Sequence, residues 1–151
     1  MDWHGPDTDL VGSSSFLVSR LIQTENLDNP EALRETAKAM AAVPIGMGYG
    51  LIHLTAGKGA MESDPDGSKT SVLPAWRKTV IHYVITEIML EDVADEELWQ
   101  ERMAKASEKI QPLRDITPNS GAYLNEAEYN EPNWQKTFFG DNFDRLKSIK
   151  E

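Results

Sequence analysis

Residues 76–90 read WRKTVIHYVITEIML, and the pattern of this run decides the fold. In an extended chain Val80, His82, Val84 and Thr86 share one face and Ile81, Tyr83, Ile85 and Glu87 the other, because successive strand side chains point to opposite sides. The run is rich in β-branched and aromatic residues over a length that suits one long strand, and it is expected to lie centrally in a sheet. Residues 47–56 (MGYGLIHLTA) predict a second strand, with Tyr49, Leu51, His53 and Thr55 on one face and Gly48, Gly50, Ile52 and Leu54 on the other. Residues 13–21, which mix Phe16, Val18 and Leu21 with Ser15, Ser19 and Arg20, predict a short strand before a turn over 22–29. Residues 121–125 are expected to be extended and to join the sheet.

Helices fall between these strands. Asn29-Pro30-Glu31 is a strong start signal: Asn29 caps, Pro30 takes the first helical position and Glu31 favours the positive end of the dipole. That helix is expected to reach about residue 42, with Leu33, Ala37, Met40 and Ala41 as its apolar face and Pro44 as its stop. A second helix is predicted over 92–113, with Leu98, Met103, Ile110 and Leu113 on one face and Pro112 near its end. Residues 1–12 and 57–70 read as loops, the latter with an Asp64-Pro65-Asp66-Gly67 turn. A closing helix is expected near Pro132, capped by Asn130 or Glu131, and another from Asp141 or Asn142 toward Lys150. Strand faces that alternate apolar with polar indicate an antiparallel sheet with helices packed on one face, an α+β domain.

The chain has 151 residues, enough for one core. It carries no Gly-x-Gly-x-x-Gly turn and no Gly-x-x-x-x-Gly-Lys-Ser loop. A formal net charge of −10 argues against nucleic acid and anionic membrane as partners, since phosphate binding needs clustered Lys and Arg, and it favours solubility. No apolar run approaches the ~20 residues of a membrane span. The polar, acidic start (MDWHGPD) is not a signal peptide, and without cysteine there is no thiolate site and no redox clue to compartment, so localisation stays open. No two His residues fall at metal-ligand spacing and no carboxylates cluster around one, so no metal site is expected.

The C-terminal block reads SGAYLNEA at 120–127, EPNWQ at 131–135 and FFGDNFDRLKSIK at 138–150. Its wording and ordered spacing resemble the end of the berberine bridge enzyme-like family, FAD-linked oxidases of the vanillyl-alcohol-oxidase superfold, and Gly-Ala-Tyr-x-Asn-Glu-Ala is most similar to the fungal members. The resemblance implies that residues 1–151 are the C-terminal part of a substrate-binding domain, with the berberine-bridge-like segment at about 115–150. It also implies that the FAD-binding domain lies outside the chain, on the same or another polypeptide. The family's substrate domain is an antiparallel sheet backed by helices whose open face roofs the flavin, in agreement with the pattern of the strands.

The resemblance assigns roles residue by residue. The family's Tyr-x-Asn lies beside the flavin ring, so Tyr123 and Asn125 are candidate FAD contacts; two apart in an extended segment, they would share a face, though a half-buried Tyr is ordinary in any sheet. Plant-type relatives place a catalytic tyrosine directly after this Asn, whereas Glu126 stands here. Glu126 or Tyr123 is the candidate base. In a regular strand Glu126 would face away from Asn125, which leaves a loop cap as the other reading of the carboxylate. His82, and His53 with Tyr49 on the second strand, are candidate substrate contacts, against the plainer reading of hydrogen-bonded structural residues. Trp134, Phe138, Phe139 and Leu146 recur at helical spacing as packing residues, and the resemblance implies that Trp134 and residues 139–142 dock on the flavin domain.

The function so implied is that of a wall over the flavin in an FAD-dependent oxidase, binding a small-molecule substrate whose hydride passes to FAD and on to oxygen in the complete enzyme. The chain alone is expected to bind FAD weakly or not at all and to be inactive. The alternative is a stand-alone small-molecule-binding or scaffold protein derived from that domain, without catalysis.

Overall fold

The computed structural model describes residues 14–43, 50–55, 58–89 and 95–151. Along the chain these form β1 (Ser14–Gln23), α1 (Pro30–Ala42), β2 (Gly50–Leu54), α2 (Lys58–Ser63), β3 (Thr79–Met89), α3 (Glu96–Ile116), α4 (Trp134–Phe139) and α5 (Phe143–Lys150). The sheet has the order β1-β3-β2, with both neighbours antiparallel to the central β3. Val18 pairs with Ile85 and Ile22 with Ile81 on one side, while His53 pairs with His82 on the other. The fold is α+β, as the strand pattern required. The loop expected at residues 1–12, the helix stop at Pro44 and the strand residues before Gly50 lie outside the described residues.

One face of the sheet makes the core. Val18, Ile22, Ile81, Tyr83 and Ile85 pack against Ala39 and Val43 at the end of α1 and against Ala106, Ile110 and Leu113 of α3. Each fully buried aliphatic side chain here contributes ~1.5–3 kcal/mol through removal from water. Burial of Ile22 extends β1 two residues past the expected end, to Gln23.

Asn29 caps α1 as expected: its Oδ1 accepts the N–H groups of Glu31 at 3.1 Å and Ala32 at 2.9 Å. Of the expected apolar face of α1 only Met40 packs on the core. Leu33 is 51 % exposed, and the inward stripe runs through Thr36, Ala39, Met40 and Val43. Thr36 fixes that rotation because its hydroxyl donates to the Asn26 carbonyl at 2.8 Å, and the small Ala39 lets α1 approach α3.

In α3 the Asp95 side chain accepts the Leu98 N–H at 3.0 Å. The helix passes Pro112 to end at Ile116, later than expected, although proline removes one i→i−4 bond. Buried Ile110 and Leu113 flank the proline, and the Thr117 hydroxyl donates to the Leu113 carbonyl at 2.5 Å, which holds the last turn.

Two stretches depart from the expected strands. Pro74–Lys78 is a 3₁₀ turn, so Trp76 precedes β3 instead of starting it. Proline suits the first position of such a turn because its φ is already fixed and it has no N–H to satisfy. Residues 121–125 are not a strand either. The Leu21 N–H donates to the Gly121 carbonyl at 2.9 Å and the Ser120 hydroxyl to the Leu21 carbonyl at 2.6 Å, which covers the outer edge of β1. The chain then turns into the 3₁₀ segment Leu124–Glu126, closed by the Glu126 N–H on the Tyr123 carbonyl at 3.0 Å.

The closing helix begins at Trp134, after Asn133 at φ 52°, and not at Pro132. Glu131, expected as a cap, is instead buried in an ion pair with Arg114. Asn142 ties the helix pair to the preceding loop by donating to the carbonyls of Val72 at 2.9 Å and Thr70 at 3.3 Å.

Candidate functional site

The face of the sheet turned away from α1 and α3 carries the polar alternation of β3. His82 points there from the middle of the central strand and is 3 % exposed. Its imidazole is framed edge-to-face by Trp76 at 5.3 Å, His53 at 5.6 Å and Tyr123 at 5.7 Å, and Trp76 and Tyr123 also meet at 5.6 Å. Such T-shaped contacts place ring edges against the negative faces of neighbouring rings. Trp76 reaches this cluster only because the 3₁₀ turn carries it over the sheet.

The 3₁₀ segment delivers the remaining side chains. Residues 120–123 follow the β1 edge, where the Tyr123 N–H donates to the Ser19 hydroxyl at 3.2 Å, so the Tyr123 ring is set over β3. The turn then brings Asn125 back, and its Nδ2 donates to the Tyr123 hydroxyl at 2.9 Å. Tyr123 and Asn125 therefore meet through a turn, where strand alternation was the expected reason. The same turn points Glu126 inward, with its Oε2 3.7 Å from His82 Nε2. Among the described residues neither of these two buried atoms has a hydrogen-bond partner. The expectation that Glu126 faces away from Asn125 assumed a regular strand and does not hold in a 3₁₀ turn.

Burial holds the His82 imidazole below its ordinary pKa, an effect that the carboxylate of Glu126 opposes and His53 reinforces. The imidazole is neutral near pH 7. His53 lies on the exposed strand β2, beside the cluster. Tyr49 lies outside the described residues. The aromatic cluster is a surface more than a cavity. A cleft of about 740 Å³ reaches it at Asn125 and is lined by Phe16, Trp99, Met103, Leu124 and Phe138.

A buried ionic cluster, not legible in the sequence, stabilises this arrangement. Arg114 Nη2 donates to Glu128 at 2.7 Å and to Glu131 at 2.6 Å. Arg20 lies 3.8 Å from Glu131 and donates to the Thr117 hydroxyl at 2.8 Å. These contacts fasten the segment after Glu126 to β1 and α3, and so hold the turn in place. Trp134, Phe139 and Phe143 form a second aromatic group, with Trp134 46 % exposed.

Residues 122–151, which include Tyr123, Asn125 and Glu126, match the family described as berberine and berberine like. Across most of its length the chain is 30 % identical to the FAD-linked oxidoreductase apf9 of Gibberella fujikuroi, over 145 residues, 93 % of this chain and 23 % of the relative. It is 29 % identical to an uncharacterized FAD-linked oxidoreductase of Arthroderma benhamiae, over 92 % of this chain and 24 % of the relative. The C-terminal segment of the chain is berberine bridge enzyme-like. The chain spans about a quarter of the length of those relatives. Its fold is that of a segment of the VAO-type flavoprotein MtVAO713 from Myceliophthora thermophila C1, at a TM-score of 0.76 and 24 % identity over 92 % of this chain and 24 % of that one. No helix among the described residues is long and apolar enough to cross a membrane.

Proposed function

We propose that this chain forms the substrate-facing wall of an FAD-linked oxidoreductase, with its partly open sheet face turned to the flavin of a flavin-binding domain on the same or another polypeptide. One observation carries the reading: β3 and the 3₁₀ turn, distant in sequence, bring His82, Tyr123, Asn125 and Glu126 to one place on the side of the sheet away from the packed helices. The relatives' FAD-linked names supply the cofactor. The residues fit it, because the half-buried phenol and exposed amide offer donors and acceptors to a polar ring edge, while Trp76 and Tyr123 offer aromatic surface. FAD, when bound, would supply the acceptor for a hydride equivalent. The chain's own residues would orient a small-molecule substrate and take up its proton, with Glu126 as the base and Tyr123 as the other candidate. His53 and the cleft beside Asn125 would contact the substrate, and His82 lies beneath them. One wall of a site holds a cofactor weakly, so the chain alone is expected to be colourless and inactive.

Titration of the isotopically labelled chain with FAD, followed by NMR, tests this placement. Shifts confined to Trp76, His82 and residues 123–126, with weak affinity, are expected. Shifts centred elsewhere would overturn it.

A further inference from the structure

We infer that His82 and Glu126 work as one acid–base unit that holds a single exchangeable proton, with Glu126 meeting the ligand and His82 acting through it as a positioning residue. The inference deepens the proposed function, since it names the partner of the proposed base.

Burial separates the two roles. His82 is 3 % exposed and capped by three rings, so no ligand on the sheet face can touch it without displacing Trp76 or Tyr123. Glu126 retains 29 % of its side-chain surface, and its buried oxygen is turned toward the imidazole. Buried polar atoms are almost always hydrogen-bonded, and leaving one unpaired costs about 1–3 kcal/mol. Here two such atoms face each other across 3.7 Å, a gap too long for a hydrogen bond of about 2.7–3.2 Å. A small rotation of Glu126 closes it. Each atom is therefore the available partner of the other; with the hydrogen of the neutral imidazole on Nδ1, Nε2 is open to a proton shared with the carboxylate.

Among the described residues, Glu126 and Tyr123 face the imidazole from the C-terminal segment and His53 faces it from β2, while Trp76, also against the ring, does not titrate. In the resting pair the imidazole is neutral. When a hydroxyl-bearing ligand gives up its proton, the O–H bond breaks, the electron pair stays on the ligand oxygen and the proton bonds to Glu126. From there it is shared with His82 Nε2, which leaves an imidazolium facing a carboxylate. Proton uptake thus converts two unpaired atoms into one charge-assisted hydrogen bond, which favours the proton-bound form of the pair.

The coupling can be read in the chain itself, with no flavin present. NMR titration of the His82 ring and of the Glu126 carboxyl carbon is expected to show a second inflection in the carboxyl signal at the His82 midpoint. In Glu126→Gln the His82 curve should move to lower pH, because the carboxylate that favours the imidazolium is gone. Glu126→Asp keeps the charge and should return the curve toward the wild-type position. A single inflection at Glu126, together with a His82 curve unmoved by Glu126→Gln, would overturn the inference. The wild-type carboxyl signal decides the matter even if a variant folds poorly. FAD-induced shifts centred elsewhere would count against the flavin placement and leave this result standing, so the two readings fail separately.

Discussion

Gly121 and Thr137 approach so closely that a Cβ on Gly121 would lie 2.4 Å from the Thr137 carbonyl oxygen, and 2.6 Å from Leu73 Cδ2. The Ala122 N–H donates to the same Thr137 carbonyl at 3.2 Å. This contact seats α4 on the segment that leads into Tyr123. Gly121→Ala must push backbone away from backbone, which a side-chain rotation cannot relieve. The substitution is expected to cost ~1–3 kcal/mol as overpacking and to lower the midpoint of urea denaturation. It should also disturb the Tyr123 and Asn125 NMR signals, and unchanged stability would show that α4 is less tightly seated than described.

The Arg114 cluster predicts a larger and asymmetric effect. Arg114→Leu leaves the nearly buried carboxylates of Glu128 and Glu131 without their shared partner, and breaking a buried pair from one side costs ~3–5 kcal/mol. Replacing Arg114 and Glu128 together by apolar or amide side chains of similar volume, with Glu131 kept as the partner of Arg20, removes one charge of each sign and is expected to recover part of that loss. Denaturation of the single and double variants checks the order.

The turn over 124–126 should be sensitive to its hydrogen bond but tolerant in stability. Tyr123→Phe removes the hydroxyl that accepts from Asn125, an exposed bond, so the net cost is expected near ~0.5–1.5 kcal/mol or below. Its signature should be local: chemical shifts at Asn125 and Glu126 move, while those of α1 and α3 stay in place.

How much of this was legible in the residues depends on range. The β3 alternation placed His82 and Ile81 on opposite faces correctly, because strand periodicity is local and each face is strongly biased. Asn29 was equally plain, because a cap is made by one side chain and two nearby N–H groups. The α1 face departs from the expected one, except at Met40, because Thr36 is held inward by a carbonyl ten residues back, whereas Leu33 stays half exposed. Tyr123 and Asn125 were singled out by their resemblance to family positions, yet their meeting depends on a turn that strand alternation does not predict. Trp76 and the partnership of Arg114 with Glu128 and Glu131 went unread, since each is set by contacts between elements, and no spacing in the sequence encodes them.

The depressed pKa of His82 predicts how stability depends on pH. Burial is the main cause of the shift, so the folded state binds a proton at His82 less readily than the unfolded chain, whose histidine titrates near the ordinary value of 6.5. Between the folded and unfolded pKa values the unfolded state carries more protons, and stability therefore rises with pH across that window. The contribution is fully present above the unfolded value and is lost as pH falls through the folded one. Wild-type protein should thus lose stability as pH falls from about 7 through the unfolded value toward the lower, folded one. His82→Gln keeps a polar side chain of similar reach but cannot titrate, so its denaturation midpoint should fall less over the same interval, even if it is lower at every pH. Parallel pH profiles for the two proteins would mean that His82 titrates alike in the folded and unfolded chains. That result would contradict its enclosure by Trp76, Tyr123 and His53.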